Sequence, residues 1–487
     1  MFEIELKFQI KNDKKDAFLK ALQRRKCDKS TIHTQYFDHD KCPLSTQGIG
    51  LQQRLENGQW IQILHLSNVE QLAPPQFQIN LGTTAPNNFE FKNFGNKNHH
   101  KSISKNTQKL LNDLSSELYV KFSIDIERFI TSFNFQKSLI EVYFDQGLVY
   151  SQQQKREFSE ITFKLKKGNI QDFISFVLPR IKRYALYLNT QAKTHYDDLL
   201  SQNIPAQFQT PFQLDPKSSP EQAIKKIVQH TLQHLLPNSS AIASGYFTEE
   251  HVHQARVAIR RLRSALKTFA HWSSHLDPTW EQQLAELFRQ LGHQRDLDMV
   301  KSTILPQILA DCSPNITLKK HKNIDKNKLD DVFKSFNFHA LILTLMQFVH
   351  TQHSEPLSLN LKKQFRKDIE KLHQNIINNS FNFLELAIDD QHRVRKRLKR
   401  LRYSIEFIAS LYPTEKVKEY LKALKPAQEA LGLYNDLFVA ENIFKSISEH
   451  EPKALFALGW IAARKHDLLA QSAQELRHLS QAVPFWK

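Results

Sequence analysis

Residues 251–269 read HVHQARVAIRRLRSALKTF, with four arginines (Arg256, Arg260, Arg261, Arg263) inside eight residues. On a helix turning about 100° per residue, His253, Arg256, Arg260, Arg263 and Lys267 share an arc of roughly 80°. Ala255, Ile259, Leu262, Leu266 and Phe269 form the opposite, core-facing stripe. A solvated helix face normally mixes charge signs, because like charges at i,i+4 repel. Here one sign is stacked. The stretch HRVRKRLKRLR from His392 repeats the pattern, matching His253 to His392, Arg256 to Arg395, Arg260 to Lys399, Arg261 to Arg400 and Arg263 to Arg402. A second motif follows each copy, LGHQRDLD from Leu291 and LGLYNDLF from Leu431, pairing Gly292 with Gly432 and Asp296 with Asp436. The helical region is therefore read as a duplication of two similar bundles.

SSPEQAIKKI starts the helical half cleanly. Ser219 is placed to cap, Pro220 takes the first helical position, and Gln222 completes a capping box. Before it, NIPAQFQTPFQLDPKSSP holds four prolines and almost no periodicity, the mark of a linker. Residues 1–202 read mostly as β-structure. FEIELKFQI alternates strictly, with Phe2, Ile4, Leu6 and Phe8 on one face and Glu3, Glu5, Lys7 and Gln9 on the other. GLQQRL, WIQILHL, FQINL, VKFSIDIERFITSF, SLIEVYFD and FSEITFKLK are further strands, a helix is expected near Lys14 and another from Ile170 to about Tyr187, and FGNKNHHKSISKNTQ reads as a long polar loop. The expected organisation is an α+β chain: residues 1–202 an antiparallel barrel or sandwich, 203–218 the linker, and 219–487 an all-α domain.

The chain of 487 residues exceeds what one hydrophobic core usually serves. Its 67 basic and 50 acidic residues give a net charge of +17, which favours a polyanionic partner. Cys27, Cys42 and Cys312 are odd in number and far apart, so no disulfide framework or thiolate metal motif follows, and a reducing cytoplasm fits best. The chain opens directly on a strand pattern, without a charged and then apolar leader, and no apolar run is long enough to span a membrane. Arginine-rich arcs hold phosphate oxygens through forked hydrogen bonds. Neither aromatic stacking platforms nor a groove-entering motif is interleaved with them, which favours an all-phosphate ligand over nucleic acid. His230 and His234 stand at i,i+4 without an evident third metal ligand, and His99 and His100 sit in the polar loop.

VHQARVAIRRLR, LGHQRDLD, HRVRKRLKRLRYSIEF and ALGLYND resemble the CHAD domain, a histidine-containing helical domain that binds inorganic polyphosphate. The resemblance covers about residues 219–487. It implies two pseudo-symmetric four-helix bundles whose basic faces line a phosphate groove, with His253, Arg256, Arg260, Arg263, His392, Arg395, Lys399 and Arg402 as contacts. EIELKF, YFDHDKCPLSTQGIGLQQRLENGQWIQILHL, IEVYFDQG and FSEITFKLKKG resemble the CYTH domain over about residues 1–200. That resemblance implies an eight-stranded antiparallel tunnel hydrolysing triphosphate with Mg2+ or Mn2+. Lys7, Arg54 and Arg128 would hold phosphate, and Glu3, Glu5, Asp145 and Glu160 would hold metal. Several positions depart from the CYTH pattern: Gln52 stands for an arginine, His65 for a lysine, Gln76 and Gln78 for acidic residues, and Thr162 and Lys164 for glutamates. Carboxylates have become amides, a hydroxyl or a lysine, which weakens a dication site. Three functions follow. One is a polyphosphate-binding protein, cytoplasmic and associated with polyphosphate granules, whose tunnel is partly degraded. The others are an active metal-dependent inorganic triphosphatase and a nucleic-acid-binding protein.

Overall fold

A computed structural model describes residues 4–40, 44–66, 76–86, 89, 91, 105–190, 200, 204–292, 297, 299–311, 313–316, 318, 326–352 and 360–487. Glu3, Cys42, His99, His100, Asp296 and Cys312 lie outside them, as do most of the expected polar loop and the side chain of Gln76. The chain forms two compact units. One comprises Met1–Thr210, Leu236–Thr248 and Phe333–Leu343; the other comprises Pro211–Leu235, Glu249–Val332 and Thr344–Lys487.

The first unit is built on a nine-stranded sheet. Its strands are β1 (Ile4–Gln9), β2 (Asp28–Asp38), β3 (Ile49–Glu56), β4 (Gln59–Leu66), β5 (Gln76–Gly82), β6 (Tyr119–Phe135), β7 (Ser138–Tyr150), β8 (Lys155–Lys167) and β9 (Tyr187–Leu188). Their order is β5-β4-β3-β2-β6-β7-β8-β1-β9, and every pairing is antiparallel. The expected antiparallel architecture is present, with one correction. Among the described residues the sheet has nine strands rather than eight and is open, because β9 takes the outer edge of β1 and β5 ends the other side.

Helices α1 (Asn12–Gln23) and α3 (Ile170–Tyr184) supply the core under one face, while α2 spans Lys105–Leu114. Phe8, Phe144 and Phe163 on the strands are fully buried with Phe173, Phe176 and Val177 of α3. Edge-on aromatic contacts, Phe8–Phe163 at 5.7 Å and Phe18–Phe144 at 5.5 Å, knit this layer. The α3 helix starts on Asn169, whose side chain accepts from the Asp172 backbone N–H. It stops three residues before Tyr187 because Ala185 adopts a left-handed conformation and the chain turns to pair with β1.

The second half is helical, as expected: α4 (Pro220–Ser244), α5 (Glu249–Thr268), α6 (Thr279–Gln290), α7 (Leu305–Ala310), α8 (Lys326–Lys334), α9 (Phe336–His350), α10 (Leu361–Ser380), α11 (Ile388–Ile408), α12 (Thr414–Ile447) and α13 (Ala454–Ser480). The capping box forms: Ser219 Oγ accepts from Gln222 N at 3.2 Å, and Gln222 Oε1 accepts from Ser219 N at 2.9 Å. In the second unit α5 packs on α6 and on α11, and α11 packs on α10 and α12. Tyr434, Leu437 and Phe444 of α12 share a core with Ala457, Ile461 and Leu468 of α13 and with Val300, Ile304 and Ile308.

Candidate functional site

Strand register decides which polar residues meet. Across the face opposite α1 and α3, Glu5, Lys164 and Glu141 stand in one row and Lys7, Thr162 and Tyr143 in the next. The following row carries Gln9, Glu160, Asp145 and Arg128. Further along, Arg54 opposes Thr34 and Gln52 opposes Tyr36. Six of the seven residues expected in the tunnel, Glu5, Lys7, Arg54, Arg128, Asp145 and Glu160, thus share one face; the seventh is Glu3.

These groups engage one another. Arg128 donates to both Asp145 oxygens, at 2.7 and 2.8 Å. Burial works against the Arg128 charge, but this two-pronged bond overrides it and raises its pKa. Glu5 lies 3.2 Å from Lys7 Nζ and 3.9 Å from Lys164 Nζ. Burial alone would lower the Lys7 pKa, yet Glu160, Glu5 and Asp145 raise it overall, so Lys7 is a firm cation. Glu160 is buried and accepts from Asn189 Nδ2 at 3.2 Å. Two departures from the expected pattern compensate each other: the Gln52 amide donates to His65 Nε2 at 2.9 Å. Burial, reinforced by Arg54 and Lys7, pushes His65 down to about 4, so it is neutral at pH 7.

The described residues, which leave out Glu3, do not by themselves assemble a divalent-cation site. Among them no group of three or more His, Cys, Asp or Glu is placed to hold one. Glu5 and Asp145 carry cationic partners instead. Sequence reasoning counted Lys164 as a lost ligand and missed its pairing with Glu5, which only the register reveals.

In the helical unit, α5 carries five basic and two acidic residues and α11 seven and three. Arg261 lies off the basic arc, as the wheel placed it. It is buried between the Tyr403 and Phe407 rings and bonds Glu406 of α11. Glu406 also accepts from Arg402 at 2.8 Å. Glu281 of α6 accepts from Arg263 at 2.9 Å and lies 3.1 Å from Lys267. Its burial favours protonation, but the bonds from Lys267 and Arg263 prevail and lower its pKa. Arg400 has its pKa lowered by burial and by repulsion from Arg397, with Glu281 opposing.

Of the eight expected phosphate contacts, Arg256 is buried, donates to the Phe288 carbonyl at 3.3 Å and stacks on that ring. Arg260 lies over the same ring at 5.2 Å and makes no ion pair among the described residues. Arg395 reaches Asp436 at 3.7 Å. His392 packs edge-on against Phe438, and burial together with Arg395 and Lys396 lowers its pKa. His253 and Lys399 are half-buried. Arg397, Arg400, Glu281 and Glu406 join the set; all but Glu281 stood in the quoted motif, but nothing local marked Glu406 as the partner of Arg261. His230 and His234 are buried, the former against Phe212 and the latter bonded to Gln254 at 3.0 Å.

No described helix is long and apolar enough to cross a membrane. An 86-residue stretch is 38% identical to the inorganic triphosphatase of Haemophilus influenzae, covering 18% of this chain and only 24% of that protein. The crystal structure of the CHAD domain from the plant Ricinus communis is similar over 58% of this chain and 98% of its own, at 25% identity and a TM-score of 0.45. A Hippeastrum protein described as an adenylyl cyclase with a dominant triphosphatase activity is similar over 42% of this chain and 98% of its own, at 11% identity and a TM-score of 0.28. The CHAD domain family profile matches residues 226–445. With its duplicated basic helices inside that span, this part of the chain is a CHAD domain.

Proposed function

We propose that the protein binds inorganic polyphosphate through the basic faces of α5 and α11. One observation carries this reading: the two helices pack against each other although both are strongly basic. Packing like-charged helices costs stability through repulsion. The carboxylates of Glu281 and Glu406 offset part of it, and a phosphate chain laid along the helices offsets the rest. Arg260, Lys399, Arg395, Arg400 and Arg402 are its direct contacts, and Glu281 holds Arg263 back from it. Arg256 supports them from within, while His253 and His392 shape the wall. On the sheet, Lys7, Arg54 and Arg128 remain beside Glu5, Asp145 and Glu160 as a partly degraded triphosphate site.

The test is titration with long-chain polyphosphate, competed by DNA at fixed salt. Reversing Arg260, Arg397 and Lys399 together to glutamate is expected to abolish binding and leave the circular dichroism spectrum intact. Unchanged binding sinks the assignment, and equal competition by DNA per phosphate favours the nucleic-acid reading. The 38% identity favours a second reading, divalent-metal-dependent hydrolysis of tripolyphosphate at the sheet face. Phosphate release at enzymatic rates with Mg2+ or Mn2+, abolished by Glu5→Gln, would establish it.

A further inference from the structure

We propose that Lys164 is a tethered counter-cation that keeps divalent metal off the sheet face. Its replacement by glutamate is then sufficient to open a metal site there. This deepens the reading of that face as a degraded triphosphate site and is independent of polyphosphate binding by α5 and α11.

In the strand register Lys164 on β8 stands between Glu5 on β1 and Glu141 on β7. Its ammonium lies 3.9 Å from Glu5, on the carboxylate that Lys7 approaches from the other side at 3.2 Å. Glu141 in turn is 3.8 Å from Lys166 and accepts from Tyr143 Oη at 2.5 Å. One row further, Arg128 takes both oxygens of Asp145. Opposite charges on facing strands stabilise the sheet, and like charges there destabilise it. A row reading Glu–Lys–Glu carries a single net negative charge, met by Lys7 and Lys166 beside it, whereas Glu–Glu–Glu would carry three and require a cation to hold it.

A divalent ion of the Mg2+ or Mn2+ class needs several oxygen ligands free of competing cations. Lys164 denies it both ways. It stands against the Glu5 oxygen that Lys7 leaves open, and its fixed positive charge raises the cost of bringing a second cation to the row. The other cations on this face leave that oxygen open. Lys7 holds the other Glu5 oxygen at 3.2 Å, and Arg128 is committed to Asp145.

The experiment is calorimetric titration of the full chain with Mn2+, without phosphate, on wild type, Lys164→Glu and the double variant Lys164→Glu/Glu5→Gln. Wild type is expected to show no saturable site that depends on Glu5. Lys164→Glu is expected to gain a site at least tenfold tighter than any in wild type, and adding Glu5→Gln to remove it. A folded Lys164→Glu protein with no gain overturns the proposal, as does a wild-type site that Glu5→Gln abolishes. Should Lys164→Glu fail to fold without metal, Lys164→Gln removes the charge without adding repulsion. A threefold or greater gain in Mn2+ affinity is expected from it, and no gain overturns the proposal. Long-chain polyphosphate titrated against the same variants keeps its wild-type affinity if the two readings are independent, so failure of one is distinguishable from failure of the other.

Discussion

Glutamate 281 is the carboxylate whose removal should improve binding. It lies 2.8 Å from one Arg263 nitrogen and 3.1 Å from Lys267, and its field reaches Arg400. Glu281→Gln keeps the shape of the side chain and removes the charge. Two cations then become available to a phosphate chain. For a flexible polyanion each neutralised phosphate adds about 0.7 to the salt slope, so two add about 1.4. Relative to wild type, affinity should then be roughly 25-fold higher at 0.1 M salt and unchanged near 1 M. The fold is expected to lose about 1 kcal/mol, because a half-buried ion pair near the surface is weak and Arg263 and Lys267 repel across one turn. The assay is titration with long-chain polyphosphate at four or more KCl concentrations, with thermal melts as the control. Weaker binding, or an unchanged slope at unchanged fold, would refute the reasoning, because it would mean that these two cations do not face the ligand.

Other outcomes follow from the same contacts. Glu406→Ala leaves Arg261 buried without its carboxylate and should cost about 3 kcal/mol, whereas Arg261→Met removes the charge itself and should be close to neutral. Urea denaturation followed by tryptophan fluorescence separates the two, and equal losses would show that the ring contacts of Arg261 carry its role. His65 has a folded pKa of about 4 against an ordinary 6.5. Because the unfolded chain takes up the proton first, its contribution is complete above pH 6.5 and is lost as pH falls from 6.5 to 4. The loss is about 3 kcal/mol at most. His65→Gln should flatten stability over that window, read as Tm against pH. In the sheet, Arg128→Lys keeps a cation but loses the fork and should lower stability by about 1–2 kcal/mol; a Tm equal to wild type would show that charge alone suffices.

Local patterns made some of this legible in the sequence. The alternation of β1 is strict because one of its faces, with Leu6 and Phe8, is buried. The capping box at Ser219 was legible because all its partners lie within four residues. Other features depend on neighbours distant in the chain. Two residues of β9 have no periodicity to display, so the open edge was not foreseen. Lys164 reads as an isolated substitution until the register sets it opposite Glu5. Arg256 belongs to the basic arc on a helical wheel, but a wheel carries no information about α6, whose Phe288 carbonyl and ring bury it.

The duplication makes the last point sharpest. Arg261 and Arg400 are equivalent, and the same offset makes Lys267 the equivalent of Glu406. A symmetric pair would give each of these arginines a glutamate from the opposite helix. Only Arg261 has one; the place that would serve Arg400 holds a lysine. Charge near Arg400 is instead met by Glu281 from α6, shared with Arg263 and Lys267. Three cations around one carboxylate leave an excess that the Arg261 side, with Arg402 and Glu406, has to a smaller degree. The Arg400 side of the helix pair is therefore where a phosphate chain should be held most tightly. Arg400→Gln should accordingly weaken polyphosphate binding more than Arg402→Gln, and the reverse order would place the ligand on the other side of the two helices.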